Sequence, residues 1–591
     1  MSAAELPLAP RHPAAFSLIC VALMWLAPFL YPVHAYPLTT FYQEWGAMLL
    51  GLLAASGLLF TRNGQPASVP AIALLPLGLL IVAGVQYGLG KIAYLGQALW
   101  LSQYLLWAAL LMALGHRLRQ IFGLPALVTV LAVTVLTGAV LNTLAGLSQH
   151  FHWHTPFSGW ITAKVTASVY GNLAQPNHFA DYLALGLLSL GWLFSRYRLP
   201  LLAVAALTAP MLLVMALSGS RSSWLYLLAM AGWTLWGWRR DAAFRPWGAF
   251  SLALLPAFVL VHGLLQLPGL GSDTGITTLS RLYAGSGSVR LVLWHEAVHI
   301  FWQFPWLGAG FGQFAWQHFL LAGSGHDLSV NGLYNHAHNL LLQLAAETGL
   351  AGVSVLLLTL GRWLWGQRLL SLSPERAWGG GLLLLLAIHS LLEYPLWYAH
   401  FLGIAAFLLG MLDTHHRRLS LPGLARLTVA VLLAAGISAQ LHWLTGYRQL
   451  ESLYTQRVAA GDRAGIVRQQ QVLLDLNRQV LLQPYAENLL AGMFPVEGEH
   501  LAYKLALNQR AMQFLPSGQL AYRLALLQAA SGATADAKTQ WECALWAYPG
   551  EFAAAHQQLA ALAEKDPAHF AALLEFALQK FKEYQIAVSA G

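Results

Sequence analysis

The chain has 591 residues, of which 57% are hydrophobic and only 9% are charged, and its mean hydropathy is +0.56. Soluble globular proteins carry about 25% charged residues, so this composition excludes that class and requires many membrane spans rather than one anchor. The net charge of +8 does not indicate nucleic-acid binding. The basic residues form short clusters between apolar runs, and the sequence has no basic stripe and no aromatic RNA-binding motif.

The first apolar run and the cysteines allow two further predictions. Arg11 precedes that run, and no convincing small-residue cleavage site follows it. The pattern predicts a retained first span rather than a removed signal peptide. Cys20 and Cys543 lie far apart in the chain, so we predict no disulfide and no cysteine metal site.

Thirteen apolar runs approach the roughly 20 residues that a helix needs to cross a bilayer. They predict an all-α fold, a polytopic membrane helix bundle of about 13 spans. The runs are 14–33, 43–61, 69–87, 93–115, 124–149, 179–195, 199–217, 222–238, 247–266, 339–361, 377–392, 398–413 and 424–444.

Basic residues are divided unequally between the two sides of this bundle. With a cytoplasmic N-terminus, the outer short loops hold only Lys91, Lys164 and Arg221, a bias of roughly five to one under the positive-inside rule. Many spans with a basic cytoplasmic side predict a bacterial inner-membrane protein whose polar sites face the periplasm. The cytoplasmic set is Arg11, Arg62, Arg117, Arg119, Arg196, Arg198, Arg239, Arg240, Arg245, Arg362, Arg368, Arg376, Arg417, Arg418 and Arg426.

The spans divide the chain into four predicted regions. These are an N-terminal transmembrane bundle (1–266), a long periplasmic loop (267–338), C-terminal spans (339–444) and a periplasmic helical domain (445–591). The last region is richer in Gln, Glu, Lys and Arg, and its apolar residues recur at i, i+3 and i+4. Its helical segments resemble a tetratricopeptide-type array without a full repeat signature, and we interpret the region as a docking domain. The segments are 500–514, 518–531, 534–547, 551–564 and 567–585.

A titratable pair lies where the long loop enters an apolar helix. His336 and His338 flank one alanine, and Asn335 or Asn339 is placed to cap the helix that follows. Ionisable residues at membrane depth cost about 2.5–3.5 kcal/mol each on insertion scales and are functional candidates by default. The pair alone fits a structural role as well as a catalytic one.

Two arginines on the outer side strengthen the catalytic interpretation. Arg221 lies between two apolar runs, and Arg290 lies within the long loop. A guanidinium group is always charged and matches phosphate oxygens, while a histidine can take a proton from an attacking hydroxyl. The set therefore suits a lipid-linked pyrophosphate substrate. The supporting candidates are Gln175, Asn177, His178, Asp181, His389, Glu393 and Tyr394.

Structural alternatives exist for several of these side chains. Arg221 can anchor the interface by reaching lipid headgroups, and Arg281 fits that role better than Arg290. Asp181 can cap a helix or form a hydrogen bond inside the bundle. Glu393 can pair with an arginine to hold a helix end.

Two other motifs favour structural interpretations. His150, His152 and His154 alternate as metal ligands on a strand would, but the interleaved aromatic residues favour an interfacial belt. The GAGFG sequence at Gly308–Gly312 has no βαβ context and predicts a tight turn rather than a dinucleotide site.

Three stretches resemble the O-antigen ligase and polymerase superfamily. They are SGSRSSWL (218–225), RLVLWHEAVHIFWQFPWLGAGFGQF (290–314) and HAHNLLLQLAAETGLAG (336–352). Two further stretches, GNLAQPNHFADYLALG (171–186) and HSLLEYPLWYAHFL (389–402), resemble the bacterial protein O-oligosaccharyltransferases of the PglL type. The helical tail also fits that branch.

The resemblance implies a GT-C-like bundle that transfers a preassembled glycan from undecaprenyl pyrophosphate to a hydroxyl of a periplasmic protein such as a pilin. It implies an inverting glycosyltransferase that works in the membrane without nucleotide sugar, cofactor, metal or nucleic acid. His338 becomes the general-base candidate and His336 a supporting one. Arg221 and Arg290 would bind the donor's phosphates.

Two alternatives remain open at this stage. The same chemistry with lipid A core sugar or another repeat unit as the acceptor would make the chain an O-antigen ligase or a polymerase. A lipid or glycan transporter is of a different class. Transporters often show inverted repeats and polar groups near the midplane, whereas this sequence shows no internal repeat and its polar groups cluster at one face.

Overall fold

A computed structural model of the chain describes residues 12–60, 67–267, 277–279, 289–325, 331–367, 372–419, 423–455 and 462–590. The described part is almost entirely helical, which confirms the all-α prediction. Arg11, Arg62, Arg281, Arg368 and parts of the predicted long loop lie outside the described residues.

The described helices that precede the long loop follow the apolar runs. They are α1 (His12–Met24), α2 (Ala27–Leu30), α3 (Phe41–Leu59), α4 (Leu74–Gly88), α5 (Leu95–Phe122), α6 (Leu124–His150), α7 (Pro176–Tyr197), α8 (Leu201–Leu217), α9 (Ser222–Trp238) and α10 (Arg245–Leu264).

The described helices of the loop and of the C-terminal half continue this numbering. They are α11 (Val289–Gln303), α12 (Phe314–Gly325), α13 (Leu340–Gly366), α14 (Pro374–Ser390), α15 (Ala399–Leu412), α16 (Gly423–Thr455), α17 (Arg463–Asn477), α18 (Gln483–Met493), α19 (Leu501–Phe514), α20 (Gly518–Ala530), α21 (Thr534–Ala547), α22 (Phe552–Lys565) and α23 (Pro567–Ala590).

The helices account for the predicted spans in part. By length and composition, 7 of the described helical segments can cross a membrane, so the chain is a multi-pass membrane protein. Each of the thirteen apolar runs overlaps at least one described helix, and the run 14–33 overlaps two, α1 and α2. The count of thirteen spans stays a prediction. The seven segments are His12–Leu30, Ala71–Gly88, Leu95–Phe122, Leu124–His150, Ala242–Leu264, Leu340–Gly366 and Arg426–Thr455.

A small antiparallel sheet is the departure from the all-helical prediction. Strand β1 (Ala67–Pro70) pairs with β2 (His416–Leu419), with Val69 opposite Arg417. Each strand has only 4 residues, which is too short for an alternating pattern to reveal it in the sequence. The pairing satisfies backbone groups that a linker would otherwise leave to water.

The chain folds into two compact units that do not follow chain order. The first comprises Met1–Leu77, Tyr104–Ser286 and Leu356–Leu444, and the second comprises Gly78–Gln103, Gly287–Val355 and Thr445–Gly591. The second unit thus contains loop residues together with the tail. The predicted four-part division by membrane spans and the periplasmic location of the tail stay predictions.

Helix α7 lies at the centre of the first unit. Every residue from His178 to Leu193 is buried, and α7 packs against α6, α9, α10 and α14. Small residues allow close approach, since a Cβ at Gly186 would lie 2.3 Å from Ala139 Cβ. The Tyr182 hydroxyl donates to Trp25 O at 2.8 Å. The polar residues at the start of α7 therefore stand on a rigid helix.

Arginines assigned to the cytoplasmic side also have a structural role. Arg119 Nη1 donates to Met411 O at 2.9 Å, and Arg376 Nη1 donates to Leu412 O at 3.4 Å. Both carbonyls lie in the last turn of α15, where backbone acceptors lack intrahelical donors and cations are favourable. These side chains stabilise a helix end in addition to any effect on orientation.

In the second unit, the tail helices hold the segment between α4 and α5. The carboxylate of Glu487, 3% exposed, accepts from the Tyr94 hydroxyl at 2.8 Å and from Arg510 Nε and Nη2 at 2.8 and 2.5 Å. Trp100 Nε1 donates to Leu481 O at 2.9 Å. We call Tyr94, Glu487 and Arg510 the tail clamp.

The tail also carries the loop that leads to the two histidines. Helix α12 packs on α21, where a Cβ at Gly323 would lie 2.6 Å from Cys543 Sγ. Gly332 N donates to Ala547 O at 2.7 Å. The predicted tail segments are confirmed as helices α19 to α23, and α17 and α18 precede them. Cys20 and Cys543 are free and buried.

Candidate functional site

The His336–His338 segment is held rigidly at the entry to α13. Ala337 is fully buried, and its N–H donates to Gln343 Oε1 at 2.6 Å. Asn339 Oδ1 accepts from the N–H groups of Leu341 and Leu342, each at 3.1 Å. Of the two predicted capping residues, Asn339 is therefore the one that caps α13.

The two histidines differ in burial and in conformation. His336 is 8% exposed, and burial, followed by the nearby His338, lowers the pKa of His336 to about 3. His338 is half-buried and has a φ of 54°, in the left-handed region that non-glycine residues rarely adopt. His336 is therefore neutral near pH 7, and His338 is the more accessible of the two.

The hydrogen bond of His338 indicates which ring nitrogen carries its proton. His338 Nδ1 lies 3.1 Å from His336 O. A carbonyl oxygen only accepts hydrogen bonds, so neutral His338 donates from Nδ1. The lone pair then resides on Nε2, the nitrogen that is suited to take a proton from a hydroxyl.

The GAGFG turn docks against a break in α13. Gly349 interrupts the helix with a φ of 59°, which frees the N–H groups of Leu350 and Ala351 to donate to Pro305 O at 2.8 Å and Trp306 O at 3.0 Å. The prediction of a tight turn is confirmed, because Gly308, Gly310 and Gly312 have φ values of 69°, 124° and 77°.

Close backbone approach explains the glycines at this junction. A Cβ at Gly308 would lie 2.2 Å from the backbone carbon of Glu347, and a Cβ at Gly349 would lie 2.6 Å from Pro305 O. Ala309 N donates to Ala346 O at 2.9 Å. The turn and the broken helix therefore form one closely packed structure.

Two buried polar side chains lock this junction. Glu347, 1% exposed, accepts from Phe314 N at 3.2 Å. Gln86 Nε2 donates to Leu307 O at 2.6 Å and to Glu347 O at 2.7 Å, and Lys91 Nζ donates to Gly308 O at 2.9 Å. The roles of Glu347 and Gln86 were not predicted from the sequence. The available signals were the single amide in the run 69–87 and the single carboxylate in the run 339–361.

Arg290 belongs to a helix that packs beside the histidines. It lies in the first turn of α11, and Leu293, Ala297 and Ile300 of that helix are buried in one apolar cluster with Ala337. Arg290 and the histidine segment are thus supported by the same cluster.

In the first unit, three of the sequence motifs meet. Ser220 Oγ donates to Asn177 Oδ1 at 2.7 Å, and Asn177 Nδ2 donates to Glu393 Oε1 at 2.7 Å. Gln175 caps α7 by accepting from His178 N at 2.5 Å. Arg221 directly follows Ser220 and is half-buried at the N-terminus of α9.

A buried acid–histidine pair lies deeper in the same bundle. Asp181 Oδ2 lies 3.0 Å from His389 Nδ1, and both side chains are 0% exposed. The contact has the distance of an ion pair but lacks the alignment of a hydrogen bond. The His178 ring centroid lies 5.2 Å from that of His389. Asp181 therefore pairs inside the bundle, and the cap of α7 is Gln175.

Tyrosines surround the Glu393 side of this group. The rings of Tyr394 and Tyr398 stack with centroids 5.8 Å apart, and burial raises the pKa of Tyr394. His178 also contacts Tyr398, at 4.9 Å between centroids. Tyr398 was not singled out in the sequence.

The HFHWH motif does not form a strand. Helix α6 ends at His150, and His152 has a φ of 52°, so the alternating geometry needed for ligands on a strand is absent here. Phe151 and Trp153 stack at 5.7 Å. No group of three His, Cys, Asp or Glu side chains suited to a metal occurs within the described ranges.

The candidates are divided between the units. Arg221, the Asn177–Glu393 group and the Asp181–His389 pair belong to the first unit, while Arg290, His336 and His338 belong to the second. Their joint action at one substrate stays a prediction.

Comparisons with known proteins agree with the helical membrane fold and these motifs. Residues 206–357 match the family described as O-Antigen ligase, residues 169–194 match Protein glycosylation ligase, and residues 377–563 match Virulence factor membrane-bound polymerase, C-terminal. The chain is also 27% identical over 405 residues to a General O-oligosaccharyltransferase of Acinetobacter baylyi, covering 67% of this chain and 68% of that protein.

The fold and the matches define a multi-pass membrane protein of the ligase class. Within that class, the matches support the PglL-type ligase family, which is the family that the sequence motifs resemble.

Proposed function

We propose that the chain is an O-linked oligosaccharyltransferase that moves a preassembled glycan from undecaprenyl pyrophosphate to Ser or Thr hydroxyls of periplasmic proteins such as pilins. The proposal is supported chiefly by the environment of the His338 side chain. It is half-buried, it is fixed by a backbone hydrogen bond through Nδ1, and it lies beside a histidine whose depressed pKa keeps it neutral.

In the proposed reaction, an acceptor hydroxyl attacks the anomeric carbon of the first sugar and inverts it. His338 Nε2 takes the hydroxyl proton as the new C–O bond forms. The bond from the anomeric carbon to the pyrophosphate oxygen breaks, and undecaprenyl pyrophosphate leaves. Arg221 and Arg290 would stabilise the charge that develops on this leaving group.

The test is transfer by purified full-length protein, with lipid-linked glycan and a pilin, measured as a mass shift on the pilin. We expect His338→Ala to lower kcat about 10²–10⁴-fold, the usual contribution of a general base. His299→Ala is the matched control, since His299 is exposed on α11 and should retain activity. A correctly folded His338→Ala protein with full activity would contradict the role of His338.

The same assay tests whether metal takes part. The expected reaction needs no metal, so transfer should be equal with and without chelator. Loss of transfer in chelator, restored by added divalent cation, would contradict the metal-free mechanism.

A second candidate keeps the chemistry and changes the acceptor. It is favoured by the matches to the O-Antigen ligase and polymerase families. Offering the pilin, lipid A core and a second lipid-linked glycan in parallel separates the two candidates. Glycan found only on lipid A core, or only as longer chains, would replace the protein acceptor.

A further inference from the structure

Helix α11 has two apolar faces, and only one of them is covered. Its inner face packs in the cluster that contains Ala337. Leu291, Val298 and Trp302 are 62%, 41% and 72% exposed, and their spacing of seven and four residues places them on one opposite face. Trp306, just beyond the helix, is 74% exposed.

No formal charge interrupts this outer face. The exposed residues of α11 are Leu291, His295, Val298, His299, Trp302 and Gln303, whereas Arg290 and Glu296 are half-buried. Exposed apolar residues that repeat on one helix face, here with His295 among them, indicate an interaction site rather than scatter.

The occupant that fits is the bilayer interface. The exposed apolar side chains extend along the helix from Leu291 to Trp302 and continue to Trp306 just beyond it. Tryptophan is enriched where membrane meets water, and interfacial helices bury an apolar face among the acyl chains. The same unit contains half of the candidate span α13, whose Leu341 is 42% exposed, so this unit meets the membrane.

We propose that α11 is an interfacial helix whose Leu291, Val298 and Trp302 side chains insert into bilayer lipid. The contact with lipid does not depend on glycan transfer. What this contact means for catalysis does rest on the proposed function. Because the inner face of α11 packs with Ala337, the helix would hold the histidine segment about one helix diameter, roughly 10 Å, from the lipid surface, where a lipid-linked pyrophosphate would lie.

The test is site-directed spin labelling of the full chain in nanodiscs of phosphatidylethanolamine and phosphatidylglycerol. Nitroxides are placed by Val298→Cys and Trp302→Cys, with Glu499→Cys as the control, because Glu499 is 93% exposed in the tail. The native cysteines are buried, and burial raises the pKa of Cys543 to about 11, so background labelling is low. The labelled parent chain corrects for it.

We expect nitroxides at 298 and 302 to collide severalfold more with oxygen than with a water-soluble nickel chelate, and the nitroxide at 499 to show the reverse. Nickel-dominated collisions at 298 and 302 would overturn the inference, because the face would then meet water. Low collision with both reagents would also overturn it, because another protein surface would then cover the face. Lipid contact without glycan transfer would leave this inference standing and refute the proposed function.

Discussion

At the scale of single residues, burial separates two histidines that the sequence presents as equals. His336 and His338 flank the same alanine, whose N–H donates to Gln343 Oε1, yet the His336 side chain is buried and the His338 side chain is half-buried. The family resemblance favours His338 as the base. The structure adds a physical reason, since His336 has a pKa lowered to about 3 and cannot serve as a base of useful strength near pH 7.

The lowered pKa of His336 predicts that the folding stability of the protein depends on pH. The pKa of His336 is near 6.5 when unfolded and about 3 when folded, so only the unfolded state binds this proton between those values. Stability is unaffected above about pH 6.5 and falls as the pH drops below it, by about 2 kcal/mol at pH 5.

His336→Gln should remove this contribution. Its thermal unfolding midpoint in detergent should fall less between pH 7 and pH 5 than that of the parent chain. His154→Gln, on an exposed side chain, is the matched control. Equal falls in parent and His336→Gln protein would show that His336 is protonated in the folded state.

At the scale of elements, the break in α13 depends on one glycine. Gly349→Ala places a Cβ 2.6 Å from Pro305 O at a φ of 59°, where the conformation alone costs about 1–3 kcal/mol. We expect a lower unfolding midpoint and reduced glycan transfer, because the GAGFG turn can no longer pack closely against the break in α13.

Gly361→Ala in the same helix is the matched control. A Cβ there meets nothing within 4 Å, so helix propensity should make the change neutral or stabilising by up to about 1 kcal/mol. If both variants behave alike, the break in α13 has no structural importance.

At the scale of the whole molecule, the tail is part of the unit that contains the histidines. Arg510→Met removes two charge-assisted hydrogen bonds from Glu487, whose carboxylate is 3% exposed. Hydrogen bonds to charged groups contribute about 1.5–3 kcal/mol, so we expect easier unfolding and weaker transfer.

The control for the tail clamp is Arg478→Ala. Arg478 pairs with Asp475 at 3.5 Å with side chains 80% and 50% exposed, and exposed pairs contribute about 0–1 kcal/mol. Limited proteolysis and transfer are measured for both variants. An Arg510→Met protein that keeps a protease-resistant tail and full transfer would show that the tail is an independent appendage.

The sequence by itself determined the helical membrane class, the helical tail, the tight turn and the residues that carry the family motifs. Apolar run length and helical periodicity are local properties of the sequence, and closely spaced glycines indicate a local turn of the backbone. The sequence also identified Asn339 as one of two candidate caps of α13, because a cap and its helix are neighbours in the chain.

Only the tertiary structure decided which distant residues meet. The Tyr94–Glu487 contact, the Asn177–Glu393 bond and the pairing of β1 with β2 each join segments separated by many residues. The break at Gly349 and the burial of Glu347 likewise depend on the turn packed against them. Burial and hydrogen-bond partners are set by packing between such segments, and one-dimensional patterns contain no information about that packing.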